Sequence, residues 1–299
     1  MPVPALFALA ALSTTPAAAA SCPGQVAFLH HVMAVVDRET ADAVAASAAL
    51  RRYASLDLRT TRTPGKPDWV GRYVNLAHTY LELFGPGDSG DDSPAGSLGL
   101  AIGGDAAGVT DSIDGRLRGA GFDPDRRMTQ RAFGGRTIDW FASLRIKQPA
   151  VEAGAPAIKA WTVEFQPDFF AAPEAARAPS LGAQDTVSRR RYLANAYTNA
   201  PLADISAVEI AVSAQSYRHD IRPLLVAAGF CLKETGRGAQ AWGGEAAIRV
   251  RFVAAAAARL EAVRFTLAAP ARSRTTLKLG KSALRIGPGR TARWTFERP

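Results

Sequence analysis

His31-Val32-Met33-Ala34-Val35-Val36-Asp37 stands beside Gly99-Leu100-Ala101-Ile102-Gly103-Gly104-Asp105 as an internal repeat. In each copy an apolar, strand-like run ends in an Asp placed to cap a helix. The end of the unit repeats as well: Tyr80-Leu81-Glu82-Leu83-Phe84 matches Thr162-Val163-Glu164-Phe165-Gln166. Self-similarity of this kind identifies a modular fold before any single element is assigned.

The segments between the repeats fill in the module. In the first copy, residues 26–36 read as a strand and residues 39–53 as an Ala-rich helix with Ala41, Val44, Ala45 and Ala48 on one stripe. Strands follow over 56–63, 69–77 and 79–84, with a turn at Pro64-Gly65-Lys66-Pro67. The order is β-α-β-β-β. A Gly/Pro/Ser/Asp-rich linker, 86–96, leads to the second copy. Its strand is 98–102, its helix opens at Asp105 and ends at Gly119-Ala120-Gly121, and its last strands are 126–133, 136–146 and 158–166. A Pro/Ala-rich stretch, 148–156, precedes the final strand, and Gly134-Gly135 reads as a hairpin turn. Residues 171–203 form a connector with one helix, 186–196. A third copy starts with strand 205–212 and helix 217–228, where Pro223 conflicts with a helix interior. Strands near 231–235, 247–253 and 262–267 complete it, and 277–296 adds hairpins turned at Gly287-Pro288-Gly289. The predicted class is α+β with repeated βαβββ modules at 24–86 and 97–170, and a third module with a C-terminal hairpin extension at 204–299.

The 299 residues are 47% hydrophobic and 21% charged, ordinary values for a globular chain with a real core. Residues 1–20 carry no charged side chain, and their apolar run 6–12 is followed by Ser-Thr-Thr-Pro and four alanines. This reads as a signal peptide cleaved near Ala20, so the expectation is a periplasmic or secreted protein. The apolar run is too short to span a bilayer. The two cysteines, Cys22 and Cys231, are able to pair in an oxidising compartment. A lipid anchor at Cys22 ranks below that, because Ala19-Ala20-Ser21 lacks a large apolar residue before the cysteine. The net charge is +9, but the basic residues are scattered. Their densest cluster, Arg189-Arg190-Arg191, reads as a solvated helix face, with no nucleic-acid-binding motif beside it.

The residues 29–37, 79–84 and 99–121 resemble the vicinal-oxygen-chelate superfamily, which includes glyoxalase I, extradiol dioxygenases and bleomycin-resistance proteins. More narrowly, the stretches 72–84, 139–144 and 160–165 are similar to an uncharacterised bacterial domain family of that fold, which also ends in a strand like Trp294-Thr295-Phe296. The resemblance implies that two modules build one cupped sheet. It also implies a divalent metal inside the cup, held by the first and last strands of each module. Carried over by position, the ligands are His31 and Glu82 from the first module, and Gly99 and Glu164 from the second. Gly99 has no ligating side chain. One imidazole and two carboxylates still suit a divalent ion. Alternation places Tyr80 and Glu82 on one face, with Tyr73 and Asn75 of the preceding strand, and groups Thr162 with Glu164. Tyr73, Asn75, Tyr80 and Thr162 are therefore the candidate ligand-binding residues. His30 falls to the opposite face and His78 is not a candidate. Each site residue also has a structural reading: arginines such as Arg72 or Arg145 can pair with the glutamates, and His31 can be a satisfied core histidine.

Three functions remain open. The first is a metal-dependent lyase, isomerase or dioxygenase acting on a small molecule. The second is a metal-free, ligand-sequestering binding protein of the resistance type. The third is a protein-interaction module. Catalytic elbows, nucleotide loops and His-Glu-x-x-His are absent from the sequence.

Overall fold

The computed structural model describes residues 22–61, 68–90, 93–133, 135–147, 155–172 and 178–298. The expected signal peptide, the turn at 64–67, Gly134 and most of the 148–156 stretch lie outside these residues.

The first module runs β1 (Phe28–Val35), α1 (Arg38–Ala46), α2 (Ala48–Arg51), β2 (Ser55–Thr61), β3 (Trp69–Asn75) and β4 (Tyr80–Phe84). The expected helix over 39–53 is broken at Ser47, whose hydroxyl accepts from Leu50 N and starts a new turn. Asp37 caps α1 through Thr40 N at 2.9 Å, as its place after the apolar run required. The second module is β5 (Leu98–Gly103), α3 (Val109–Gly119), β6 (Pro124–Phe133), β7 (Arg136–Ile146) and β8 (Ile158–Phe165). Strand β1 pairs with β4 in parallel and with β5 antiparallel, giving one eight-stranded sheet in the order β2-β3-β4-β1-β5-β8-β7-β6. Two βαβββ modules thus join through their first strands.

Two short helices, α4 (Pro167–Ala171) and α5 (Arg189–Leu193), lie in the connector. Then come β9 (Leu202–Val212), α6 (Ala214–Ser216), α7 (Arg222–Ala228), β10 (Cys231–Thr235), β11 (Gly238–Gly243) and β12 (Ala246–Phe252). A π-helical turn at Tyr217–Ile221 sits ahead of α7 and leaves Pro223 in the first turn, where a missing N–H is harmless. The chain ends with β13 (Arg259–Ala271), β14 (Thr275–Leu279), β15 (Ser282–Ile286) and β16 (Gly289–Phe296). These strands make a second eight-stranded sheet, β10-β11-β12-β9-β13-β16-β15-β14.

The C-terminal part is therefore more than a hairpin extension. Strand β13, expected as the last strand of the third module, instead pairs with the other edge of β9 and opens a fourth quarter. The third module closes with β12, parallel to β9 as β4 is to β1. Sequence reading missed β11, whose Gly-Ala-Gln-Ala-Trp-Gly carries few β-branched side chains. The fourth quarter has no helix. A parallel return needs a long crossover, so β13 and β16 run antiparallel instead.

The helices lie between the two sheets. Val44 of α1, Ile113 and Leu117 of α3, and Leu224 and Leu225 of α7 share one apolar core with Leu81, Leu100 and Ala160 of the first sheet and Val208, Val263 and Trp294 of the second. Cys22 and Cys231 are disulfide-bonded, their Cα atoms 5.7 Å apart. The face of each sheet away from the helices is left for other uses. On the second sheet that face carries ion pairs, with Glu209 bound by Arg264 at 2.7 Å and by Arg293 at 2.5 Å.

Candidate functional site

The site begins with an irregularity in β1. Leu29 pairs with Ile102 and His31 with Ala101, so one residue of β1 faces none of β5. That extra residue is His30. A bulge of this kind re-aims a side chain. Both imidazoles consequently lie on the face away from the helices, which corrects the expectation that His30 points to the other side. His30 Nδ1 and His31 Nδ1 are 2.6 Å apart, a hydrogen bond in which one ring donates and the other accepts. The His31 ring stacks on Tyr80 at 4.3 Å and meets Trp161 edge-on at 5.3 Å. His30 contacts Tyr80 and Phe165, each at 5.4 Å between ring centroids. Burial, then the Arg189 charge, lowers His30 to a pKa of about 3. Burial and the neighbouring His30 push His31 well down. The pair is neutral at physiological pH.

Across β1, Met33 pairs with Glu82, and Glu82 pairs with Tyr73 of β3. Tyr73, Asn75, Tyr80 and Glu82 therefore share the face of His31, as alternation implied. Glu82 is 8% exposed. Burial raises its carboxyl to a pKa of about 7 against two lowering influences, the Tyr73 hydroxyl hydrogen bond and the Arg59 charge. Burial and Glu82 together hold the Tyr73 phenol protonated. Arg59 of β2 spreads over the Tyr73 ring at 4.9 Å and binds Asp57.

The second module does not contribute as expected. Glu164 faces the helices: its carboxylate accepts from Gly108 N at 2.8 Å and Thr110 N at 2.6 Å. It thus occupies the place of an N-cap for α3, where backbone N–H groups and the helix dipole favour an anion. Thr162 points the same way, its hydroxyl accepting from Leu144 N at 2.9 Å. Neither residue meets His31 and Glu82. The strand ladders give the reason. His31 pairs with Tyr80 while Gly99 pairs with Lys159. If His31 corresponds to Gly99, the counterpart of Glu82 is Trp161, three residues before Glu164. An odd offset exchanges the faces.

These positions test the metal that the resemblance implies. Two of its four ligand positions are Gly99 and Trp161. A Cβ on Gly99 would stand 2.5 Å from the Trp161 ring, so the indole fills that corner. That leaves two donors of the four, His31 and Glu82, fewer than the three protein ligands an open divalent site needs. This face, the concave one of the cup that the resemblance implies, does not fit a divalent metal at the ligand positions the resemblance gives.

The connector covers part of this face. Phe165, Phe169, Val163 and Val187 form a second apolar cluster against which Trp140, Trp161 and Tyr192 are half-buried. Tyr192 stacks on Phe165 at 3.9 Å. The three arginines expected to be solvated are the latch. Arg189 is 3% exposed, binds both oxygens of Asp105 at 2.9 Å, and donates to Leu29 O. Arg190 pairs with Asp185, and Arg191 lies over Phe170. Asp105 is thus a latch partner and not the cap of α3. The buried polar atoms without a partner among the described residues include His30 Nε2, Asn75 Nδ2 and Trp140 Nε1 on this face. Beside the face, a cleft of about 220 Å³ opens between β2 and the connector, lined by Arg51, Ser55, Asp57 and Thr198 among others.

Away from this face, one group among the described residues has donors for a divalent metal: His78, Asp204 and Glu245. Its members come from the β3–β4 turn, β9 and the β11–β12 turn. No local spacing in the sequence announces it, since His78 and Asp204 are 126 residues apart.

A family model described as a family of unknown function, DUF5829, matches residues 29–296. The chain belongs to DUF5829. None of the curated proteins matches its sequence. Among solved structures, this DUF5829 chain is similar to a hypothetical protein from Staphylococcus aureus at 10% identity and TM-score 0.51, with 88% of this chain and 99% of that one covered. The Mn(II)-bound glyoxalase from Novosphingobium aromaticivorans aligns over 89% of this chain and 81% of its own, at 11% identity and TM-score 0.39. The 2,3-dioxygenase LapB from Pseudomonas sp. KL28 aligns over 92% and 94%, at 11% identity and TM-score 0.42. At 10% identity the likeness to the Staphylococcus aureus protein is one of fold alone. No helix among the described residues of this DUF5829 member is long and apolar enough to cross a membrane.

Proposed function

We propose that this DUF5829 protein is an exported binding protein that takes a small planar, oxygen-bearing molecule, such as an aromatic carboxylate or a phenol, on the concave face of its first sheet without a metal there. The observation that carries this reading is the set of unpartnered buried polar atoms, His30 Nε2, Asn75 Nδ2 and Trp140 Nε1, among half-buried rings of Tyr80, Trp140 and Trp161. A buried polar atom without a partner costs about 1–3 kcal/mol, which a ligand oxygen or hydroxyl recovers by bonding to it. The aromatic rings supply flat apolar contact, and the few polar atoms supply orientation.

Saturation-transfer NMR on metal-stripped protein, with a panel of small aromatic carboxylates and phenols, tests the proposal. Binding in EDTA that weakens about 10-fold or more in Trp161→Ala supports it. A panel that stays unbound, or binding that Trp161→Ala leaves unchanged, counts against it.

A second reading is catalytic. It is favoured by one observation, a Glu82 carboxyl that titrates near neutrality while bonded to Tyr73. Such a group exchanges a proton with a bound substrate at physiological pH. Under that reading, turnover of a bound panel member follows the ionisation of Glu82 and disappears in Glu82→Gln, while binding survives.

A further inference from the structure

We propose that His78, Asp204 and Glu245 bind one divalent transition-metal cation at the junction of the two sheets. This site is separate from the concave face and does not depend on what that face binds.

The donor geometry comes first. His78 Nδ1 lies 2.7 Å from Asp204 Oδ2 and 3.8 Å from Glu245 Oε2, and one donor from each residue lies within 4.8 Å of the other two. Ligand atoms bound at about 2.0–2.2 Å to a common cation stand about 3–3.5 Å apart, so small side-chain shifts bring the three donors onto one ion. One imidazole and two carboxylates form a mixed nitrogen and oxygen set, which suits Zn²⁺, Mn²⁺ or Fe²⁺ better than an all-oxygen ion.

The surroundings hold the ligands in place. Asp204 Oδ1 accepts from the Thr79 hydroxyl and from Ile205 N, which fixes the carboxylate and leaves Oδ2 facing His78. Oriented ligands of this kind bind metal more tightly than free ones. The His78 turn is itself pinned to the second sheet through Ala77 N to Ala203 O at 2.9 Å. Glu245 sits on the turn after Gly243 and Gly244, where Gly244 has φ +58° and packs on Phe28. The nearest cation is Arg189, 3.9 Å from Glu245. Its charge is matched by Asp105, which binds it through both oxygens. The two carboxylates of the cluster carry a charge that a divalent ion balances. The Glu245 side chain is 53% exposed, so water completes the coordination and no fourth protein ligand is required.

The ion would tie the β3–β4 turn of the first sheet to β9 and to the β11–β12 turn of the second. Binding it stabilises the folded chain by mass action.

The test uses the full chain, stripped with EDTA, dialysed, and titrated with ZnCl₂ and MnCl₂ by calorimetry at pH 7.5. One site per chain is expected, with Kd in the micromolar range or tighter, and a rise in Tm of about 5 °C at one hundred times Kd. His78→Ala should weaken binding at least 10-fold. Glu245→Gln, at an exposed position that the fold does not need, should weaken it by a similar factor while the apo Tm stays within about 2 °C of wild type. His31→Asn should leave the affinity unchanged. The proposal is overturned if wild-type protein binds neither ion, or if His78→Ala and Glu245→Gln bind as wild type does. It is overturned equally if His31→Asn abolishes binding, since the ion then belongs to the concave face.

Discussion

His30 and His31 are neighbours in one strand, yet their Nδ1 atoms are 2.6 Å apart on the same face of the sheet. The bulge in β1 makes this possible, and burial keeps both rings neutral. The sign of the resulting pH dependence follows. Both histidines have folded pKa values below the ordinary 6.5; for His30 the unfolded chain binds a proton that the folded chain refuses between about pH 3 and 6.5, and His31 acts in the same direction. Stability from this pair is complete above pH 6.5 and is lost as the pH falls below it. Urea midpoints measured from pH 7.5 down to pH 4.5 should show this loss. His30→Asn should flatten the acid limb, and an unchanged acid limb in that variant would contradict the assignment.

Glu82 works in the opposite direction. Its folded pKa of about 7 exceeds the ordinary 4.5, so the folded chain binds the extra proton. Its contribution favours folding at acid pH and turns unfavourable as the pH rises through 7. Glu82→Gln keeps the hydrogen bond to Tyr73 and removes the buried charge. The variant should gain about 1–2 kcal/mol at pH 8.5 and nothing at pH 5, read from urea titrations at the two values. A loss of stability at pH 8.5 would show that the carboxylate is compensated by a partner other than Tyr73 and Arg59.

Glu164 closes the start of α3, where Gly108 offers no side chain of its own. Replacing it by Ala leaves two backbone N–H groups without their acceptor. Urea unfolding should show a loss of about 1–3 kcal/mol, while metal affinity and ligand binding remain those of wild type. Lost metal binding in a folded Glu164→Ala protein would restore Glu164 to a ligand role.

The disulfide joins Cys22 to Cys231 across a sequence separation of 209. Peptide mapping without reductant should recover the linked pair. Loop-closure entropy over that span sets an upper estimate of about 5 kcal/mol for its stabilisation, so Cys231→Ser should unfold at lower urea. Two free thiols in the folded protein would refute the pairing.

The module pattern was legible because it rests on apolar periodicity and on punctuation by Asp, Gly and Pro, which act locally. Tyr73, Asn75, Tyr80 and Glu82 were placed on the correct common face for the same reason, since alternation within β3 and β4 is unbroken. His30 was misplaced because a bulge depends on how β1 meets β5, and the apolar run of β1 contains no glycine to mark it. Glu164 was misplaced because two short similarities, His31 with Gly99 and Glu82 with Glu164, imply incompatible registers, and only the ladders of β4 and β8 decide between them. Nothing near Arg189 in the sequence marks it as buried, because its partner Asp105 lies 84 residues away. His78, Asp204 and Glu245 could be gathered only by the packing of one sheet against the other.

On the helix-free face of the first sheet Trp161 stands over Gly99 and closes one of the metal-ligand positions that the resemblance implies. The most direct measurement is anomalous diffraction at the manganese edge from crystals soaked in MnCl₂. No anomalous peak is expected within coordination distance of His31 or Glu82. A manganese peak bound by His31 and Glu82 would contradict it.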